Sequence, residues 1–330
     1  MNNEKDNTAG VAAQVNSTPW NGVKKDALSM VRITLDAWVR RLLVDPLDKG
    51  EITFSADGIC SSSNRYVCDR GIPDMRVLVR GDSELWAKGQ AEFEKWIPEW
   101  LGRQPEAISR EIGADRAIYS RHPLPGRILD VGGQLGQVRL FVPGQDYVSL
   151  DPFIEAPFVF DKYPAIVEQY QLDQPLNFIA GVAEYLPFRN EAFDSVNMRS
   201  CLDHFSDTSA ALFEARRVLR VGGRLVVGVS VIRELSPYRK LASKLLGRKD
   251  KDHHMWHPKD KGELIGLVEK HGFVCDHWSF QPEFGEAVVY ASFYKKRDFQ
   301  PFISPEQNFA QRRQQTSASK GMSRDKPEAR

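Results

Sequence analysis

The stretch GRILDVGGQLGQVRLF, residues 126–141, decides how the rest of the chain is read. An apolar run ends at the acid Asp130, then Gly132, Gly133 and Gly136 follow, then a helix-like pattern begins. Glycine is needed in such a turn where a side chain would hold a ligand away from the backbone, or where φ must be positive. In a doubly wound sheet that turn lies beyond the carboxyl end of a strand, the place where ligands bind if the strand order reverses. The frame ending at Gly136 has Val131 where a dinucleotide fingerprint requires its first glycine. It also lacks the lysine of a Walker loop. Asp130 precedes the glycines, and a carboxylate is unfavourable beside pyrophosphate but favourable beside an ammonium or sulfonium. The turn therefore reads as a cradle for a zwitterionic ligand without phosphate.

Outward from this turn, strand and helix alternate. Strand-like segments are 127–131, 147–151, 177–181, 194–200, 223–231, 274–280 and 287–296; helix-like segments are 135–142, 164–171, 207–220 and 258–272. Strands joined by helical crossovers imply a parallel sheet covered on both faces. The last two strands are separated by QPEFGE alone, too short for a parallel crossover, so they should pair antiparallel. The expectation is an α/β, doubly wound, seven-stranded and mostly parallel sheet with its last strand antiparallel, preceded by a small N-terminal α+β module.

Five zones follow from composition: a disordered N-terminus (1–24), the small module (25–80), a helical linker or cap rich in Trp (81–125), the alternating domain (126–297) and a disordered tail (298–330). No internal repeat is present. At 42% apolar residues and a formal net charge of +1, the chain can bury a large core and carries no global field toward nucleic acid or an anionic membrane. Its four cysteines are scattered, as in a reducing compartment. No secretory pattern and no run of about 18 apolar residues is visible, so the expectation is a cytoplasmic protein without a membrane span.

Asp151 ends the second strand, in YVSLDPF, at the distance where an acid can accept bonds from ribose hydroxyls. With this residue the resemblance is plain. From Gly126 to Lys295 the chain resembles a class I S-adenosylmethionine-dependent methyltransferase of the type 11 group. ILDVGGQLG resembles the first motif and YVSLD the ribose acid. AGVAEYLPFRNEAFDSV resembles the adenine-loop motif, and SCLDHFSDTSAALFEARRVLRVGGRLVVGV the fourth strand with its helix and glycine turn. The resemblance implies S-adenosyl-L-methionine as cofactor. Asp130, Gly132, Gly133 and Gly136 would shape its methionine end, and Asp151 would hold the ribose. Ala183 and Glu184 would lie near the adenine, and Ser200, Cys201 and Leu202 would close over the ligand. Two positions depart from the pattern: Gln134 stands at the middle glycine, and Val182 replaces an aspartate that commonly bonds the adenine amino group. A lost hydrogen bond of that kind costs about 1 kcal/mol, so neither departure alone abolishes binding.

A base is needed only if the methyl acceptor is a hydroxyl or an activated carbon. His204, just past the fourth strand, is the candidate, with Asp203 as its partner, while Asp207 reads as a helix cap. The insertion 232–258 resembles a substrate lid and holds His253, His254 and His257; His254 is the third catalytic candidate. No carboxylate or cysteine completes a ligand pattern there, so no metal is expected.

Residues 42–75 resemble the zinc ribbon that activates, or is fused to, several methyltransferases. Its ligand positions fall on Asp45, Asp48, Cys60 and Ser63, a poor set for zinc, so a metal-free remnant is expected. The leading expectation is methyl transfer to a small-molecule or glycan- or lipid-linked acceptor, without nucleic acid as partner and with the oligomeric state open. A non-catalytic binding or regulatory partner is the second reading, and an RNA methyltransferase the third.

Overall fold

The computed structural model describes residues 31–55, 58–77, 89, 91, 105–159, 163–231, 256–283 and 286–299. The N-terminus 1–24, the Trp-rich run 84–102 apart from positions 89 and 91, the tail from 300, and residues 232–255 with His253 and His254 lie outside the described residues.

Among the described residues, five short strands precede the alternating domain: β1 (Ile33–Thr34), β2 (Thr53–Ser55), β3 (Gly58–Cys60), β4 (Arg65–Asp69) and β5 (Ile72–Asp74). Seven follow: β6 (Ile128–Val131), β7 (Tyr147–Asp151), β8 (Leu176–Ala180), β9 (Phe193–Arg199), β10 (Leu219–Ser230), β11 (Phe273–Glu283) and β12 (Glu286–Lys295). The helices are α1 (Ala37–Leu42), α2 (Pro105–Arg121), α3 (Ala156–Val159), α4 (Pro164–Gln169), α5 (Thr208–Val218) and α6 (Lys261–Glu269).

The seven strands lie in the order β11-β12-β10-β9-β6-β7-β8. From β8 to β10 every pair is parallel. β12 runs antiparallel to both β10 and β11, as the short QPEFGE link requires. Every residue of β6, β7 and β8 is buried, the pattern of parallel strands covered on both faces. One face packs Tyr119 of α2 and Leu124 against Ile128, Phe178 and Val226. The other packs Val39 of α1, Leu212 of α5 and Leu264 of α6 with Leu129 and Val196. Full burial of each such side chain stabilises the fold by about 1.5–3 kcal/mol. The chain builds outward from β6 to β8 and then returns to β9 on the other side of β6, so the order reverses beside the glycine turn.

Two local expectations are corrected. The segment 135–142 is not an α-helix but a single 3-10 turn, Gln137–Phe141. Val138 and Val142 are β-branched, and Pro143 and Gly144 close the segment before a second turn can form. Arg139 fixes it by donating to the carbonyls of Gly136, Gln174 and Pro175. The run DALSMVRITLDAWVRRLL, 26–43, has the spacing of one short helix, but over its described part Ile33 and Thr34 form β1, paired with Leu176 and Asn177 of β8, and α1 starts only after Asp36. Pairing with a sheet edge overrides the helical spacing of these residues.

The N-terminal strands continue the sheet. β1 and then β5 (Asp74 opposite Ala180) pair parallel with the outer edge of β8, and β4, β3 and β2 follow as an antiparallel meander. Its hub is Asp45, with no solvent exposure. The side chains of Ser61 (2.5 Å), Asn64 (2.8 Å) and Tyr66 (3.0 Å), and the backbone N–H groups of Leu47 and Asp48, all donate to its carboxylate. Burial alone would raise Asp45; these bonds outweigh it and hold the group below the usual carboxylate range. Asp48 accepts from Gly50 N–H at 2.8 Å. Lys49 Nζ reaches Glu214 of α5 at 2.8 Å, and Arg217 grips the same carboxylate, which ties the Asp45–Gly50 turn to the main domain.

Candidate functional site

The turn after β6 carries positive φ at Gly132 (71°), Gln134 (43°) and Gly136 (69°). A Cβ on Gly132 would fall 2.8 Å from Cys201 Cβ, so glycine is what lets the turn after β6 touch the loop after β9. Gly133 lies as closely over Asp130 and Ser149, and Gly136 over Leu176 and Tyr147. Gln134, a residue type that rarely adopts this region, is held there by two bonds. Its N–H donates to Asp151 at 3.2 Å and its carbonyl accepts from Ser149 Oγ at 3.0 Å.

Four carboxylates converge on this turn. Asp130 is buried and accepts from Asn197 Nδ2 at 2.7 Å and from the Tyr147 hydroxyl; burial pushes it up to about 6 against the pull of those bonds and of Arg199. Asp151, 3% exposed, accepts only the backbone N–H groups of Phe153 (2.9 Å) and Gln134. Burial pushes it up to about 7, with those two bonds opposing and the Asp130 charge adding to the rise. Glu184 lies in the 3-10 turn after β8 and accepts from Asp207 N–H at 3.2 Å. Asp203 follows β9. Cys201 lies among all four: burial, then Asp203, Asp130, Asp151 and Glu184, push its thiol well above the usual range, and Sγ donates to the Val131 carbonyl at 3.2 Å. Cys201 is therefore a packing group and not a nucleophile.

The remaining candidates fall around this set. Ser200 is exposed at φ 51°, Leu202 is fully buried, and Ala183 packs in the core with Met75. Asp207 caps α5 through Ala210 N–H, as expected. The imidazoles of His204 and His257 approach opposite oxygens of Asp203, His204 Nε2 at 4.0 Å and His257 Nδ1 at 3.9 Å. His204 is 44% exposed on its side chain and Asp203 only 5%. Of the three histidines at 253, 254 and 257, His257 is the one described, and it approaches Asp203; His254 lies outside the described residues. Among the described residues, no group of three acids, histidines or cysteines has metal-binding geometry.

Two contributions escape a sequence reading. Asn197 and Tyr147 hold Asp130, and the sole signal was a polar residue inside an apolar strand. The segment after β5 lies over the loop after β8: Met75 N–H donates to Ala180 at 2.8 Å, and Val77 packs with Val182 and Tyr185. Val182 is therefore covered by the N-terminal segment.

The chain is similar to an uncharacterized methyltransferase, YcgJ, of Bacillus subtilis, with 30% identity over 107 residues, 31% of this chain and 39% of that protein. It is 35% identical over 105 residues to the ubiquinone/menaquinone biosynthesis C-methyltransferase UbiE of Dinoroseobacter shibae, 31% of this chain and 41% of that protein. The chain thus spans about two fifths of the length of these curated relatives. The solved structure of B. subtilis YcgJ overlays with a TM-score of 0.44 at 17% identity, covering 57% of this chain and 100% of that one. Residues 157–227 match the family model described as a methyltransferase domain, and they lie in a sheet whose strand order and antiparallel final strand are those of the Rossmann-like methyltransferase fold.

Proposed function

We propose that the protein is an S-adenosylmethionine-dependent methyltransferase acting on a small-molecule or glycan- or lipid-linked acceptor. The observation that carries this reading is Asp151, a carboxylate 3% exposed with two backbone donors, raised to about 7 at the strand-order reversal. A buried carboxylate so poorly supplied is relieved by a ligand that brings hydroxyl donors and positive charge, and strained further by a phosphate. The donor set fits the cofactor: Asp151 would hold the ribose hydroxyls, and Asp130, Glu184 and Asp203 provide a negative field for an ammonium and a sulfonium. When bound, the cofactor supplies a methyl group on a positively charged sulfur.

The protein's own task is then alignment, from which much of the rate of an in-line transfer comes. For a hydroxyl acceptor, His204 would take the acceptor proton, with Asp203 holding the imidazolium and His257 bracing the other carboxylate oxygen. The similarity to a ubiquinone/menaquinone biosynthesis C-methyltransferase supports a small organic acceptor. The test is calorimetric titration with S-adenosylmethionine and S-adenosylhomocysteine, with micromolar binding of both expected. Absence of binding to either would transfer support to a non-catalytic binding or regulatory partner. That second reading draws on Gln134, whose N–H already occupies Asp151, and on Glu184, which is engaged by the N-terminus of α5.

A further inference from the structure

We propose a second ligand site, for a phosphate group, at the opposite end of the sheet from the carboxylate-lined turn. A cavity of about 440 Å³ opens there, lined among others by Glu191, Phe213, Arg216, Arg217, Lys295 and Phe299. It lies where α5 ends, β10 begins and β12 ends, and three cations face it against one carboxylate.

The cations are not equally engaged. Arg217 is saturated: Glu214 holds two of its nitrogens at 2.7 and 2.8 Å, and the oxygens of Leu186, Phe188 and Asn190 take the rest. Lys295 Nζ donates to the Leu219 carbonyl at 2.6 Å and to Glu191 at 3.2 Å, which leaves one N–H. Arg216 donates from Nη2 to the Lys296 carbonyl at 2.6 Å, while its Nε is shielded from water and bonded to no acceptor. A charged donor buried without an acceptor costs a few kcal/mol, and a native structure leaves few of them without a reason.

Arg216 is also held in place. Its guanidinium lies 5.0 Å from the Phe299 ring centre, and Gly272, at φ 83°, passes beneath. A Cβ there would fall 2.5 Å from Arg216 Nε and 2.4 Å from the Phe299 ring, so only glycine admits the clamp. Burial pulls the Lys295 amine down, Glu191 restores part of it, and the neighbouring Arg216 and Arg217 lower it again. A tetrahedral oxyanion with several acceptor oxygens would pair with the cavity-lining Arg216 guanidinium and accept from the spare Lys295 N–H. Glu191, 53% exposed on its side chain, is the group it would displace from Lys295. Phe213 and Phe299 offer apolar surface to whatever carries the phosphate.

The test is calorimetric titration of the full chain at constant ionic strength with inorganic phosphate and, separately, with AMP. Saturable binding of phosphate is expected, at least tenfold weaker in Arg216→Gln, while S-adenosylhomocysteine binding in that variant stays as in the parent. Glu191→Gln, which removes the competing carboxylate from an exposed position, should tighten phosphate about threefold; a purely structural role for the cluster would leave it unchanged. Equal affinity for the two probes assigns the site to free phosphate, and tighter AMP assigns it to a nucleoside phosphate stacked on the rings. The proposal is overturned if neither anion saturates by about 10 mM, well above the millimolar range of weak specific sites, or if Arg216→Gln binds phosphate as the parent does.

Discussion

Asp45 and Asp151 are the same residue type and both are closed to solvent, Asp151 the deeper of the two, and the protein treats them oppositely. Asp45 has five donors and is held below the usual carboxylate range; Asp151 has two and is raised to about 7. Low exposure alone therefore does not mark a functional acid. Asp151 combines greater depth with a shortfall of donors, where the N-terminal module supplies Asp45 with more. Asp45 has its carboxylate filled by donors from its own turn and from Ser61, Asn64 and Tyr66. Asp151 stands where strand order reverses, with bonding capacity still to be met.

The largest effect should come from Asp45→Ala, which leaves three side-chain donors and two backbone N–H groups facing no acceptor. It should cost about 3–5 kcal/mol by urea unfolding. A loss below about 1 kcal/mol would break the comparison, since Asp45 would then be no hub. Next, Asp151→Ala should weaken S-adenosylhomocysteine about 30-fold, the value of two hydrogen bonds of about 1 kcal/mol each. Asp151→Asn should show the same weakening yet raise the urea midpoint of the free protein at pH 8. Lower stability in both variants would make Asp151 a second Asp45.

The pH dependence sharpens the contrast. Asp151 binds its proton more tightly folded than unfolded, so its contribution to stability is present below about pH 4 and lost as pH rises through about 7. Asp45 is lowered on folding, so its contribution is present above about pH 4 and lost as pH falls through its folded value. Asp151→Asn should therefore flatten the decline in urea midpoint between pH 5 and 8. Affinity for the cationic cofactor should rise about tenfold from pH 6 to pH 8 as Asp151 ionises, and this rise should vanish in Asp151→Asn. The smallest effect belongs to Gln134→Gly. Relief of a positive φ, worth about 1 kcal/mol, is nearly offset by glycine's added chain entropy, so stability should stay within about 0.5 kcal/mol. Cofactor affinity, by calorimetry, should rise no more than about threefold.

The seven strands and the reversal at β6 were legible because buried parallel strands are continuous apolar runs bounded by turn residues, as in YVSLD and NFIAG. The antiparallel final pair was legible from a link too short for any other path. What escaped was tertiary. Ile33 and Thr34 sit in a helical pattern and become a strand because β8 offers them an edge. Val138 to Val142 have helical spacing, but Pro143 and Arg139 stop them at one turn. Among site residues, single-residue chemistry flagged Asp151, His204 and Asp203. It could not show that Glu184 would engage α5, or that His257 would be the histidine beside Asp203.

The double cover on the outer edge of β8 has a consequence for synthesis. β1 pairs with residues about 140 positions further along, so during translation Ile33 and Thr34 have no strand to join until β8 is made. At about 5–20 residues per second that wait is on the order of ten seconds. Through all of it the first apolar segments of the chain are open to other chains and to chaperones. The ribosome delivers β1 before the inner strand it joins, so these early residues wait longest for a partner and are open to misassembly meanwhile.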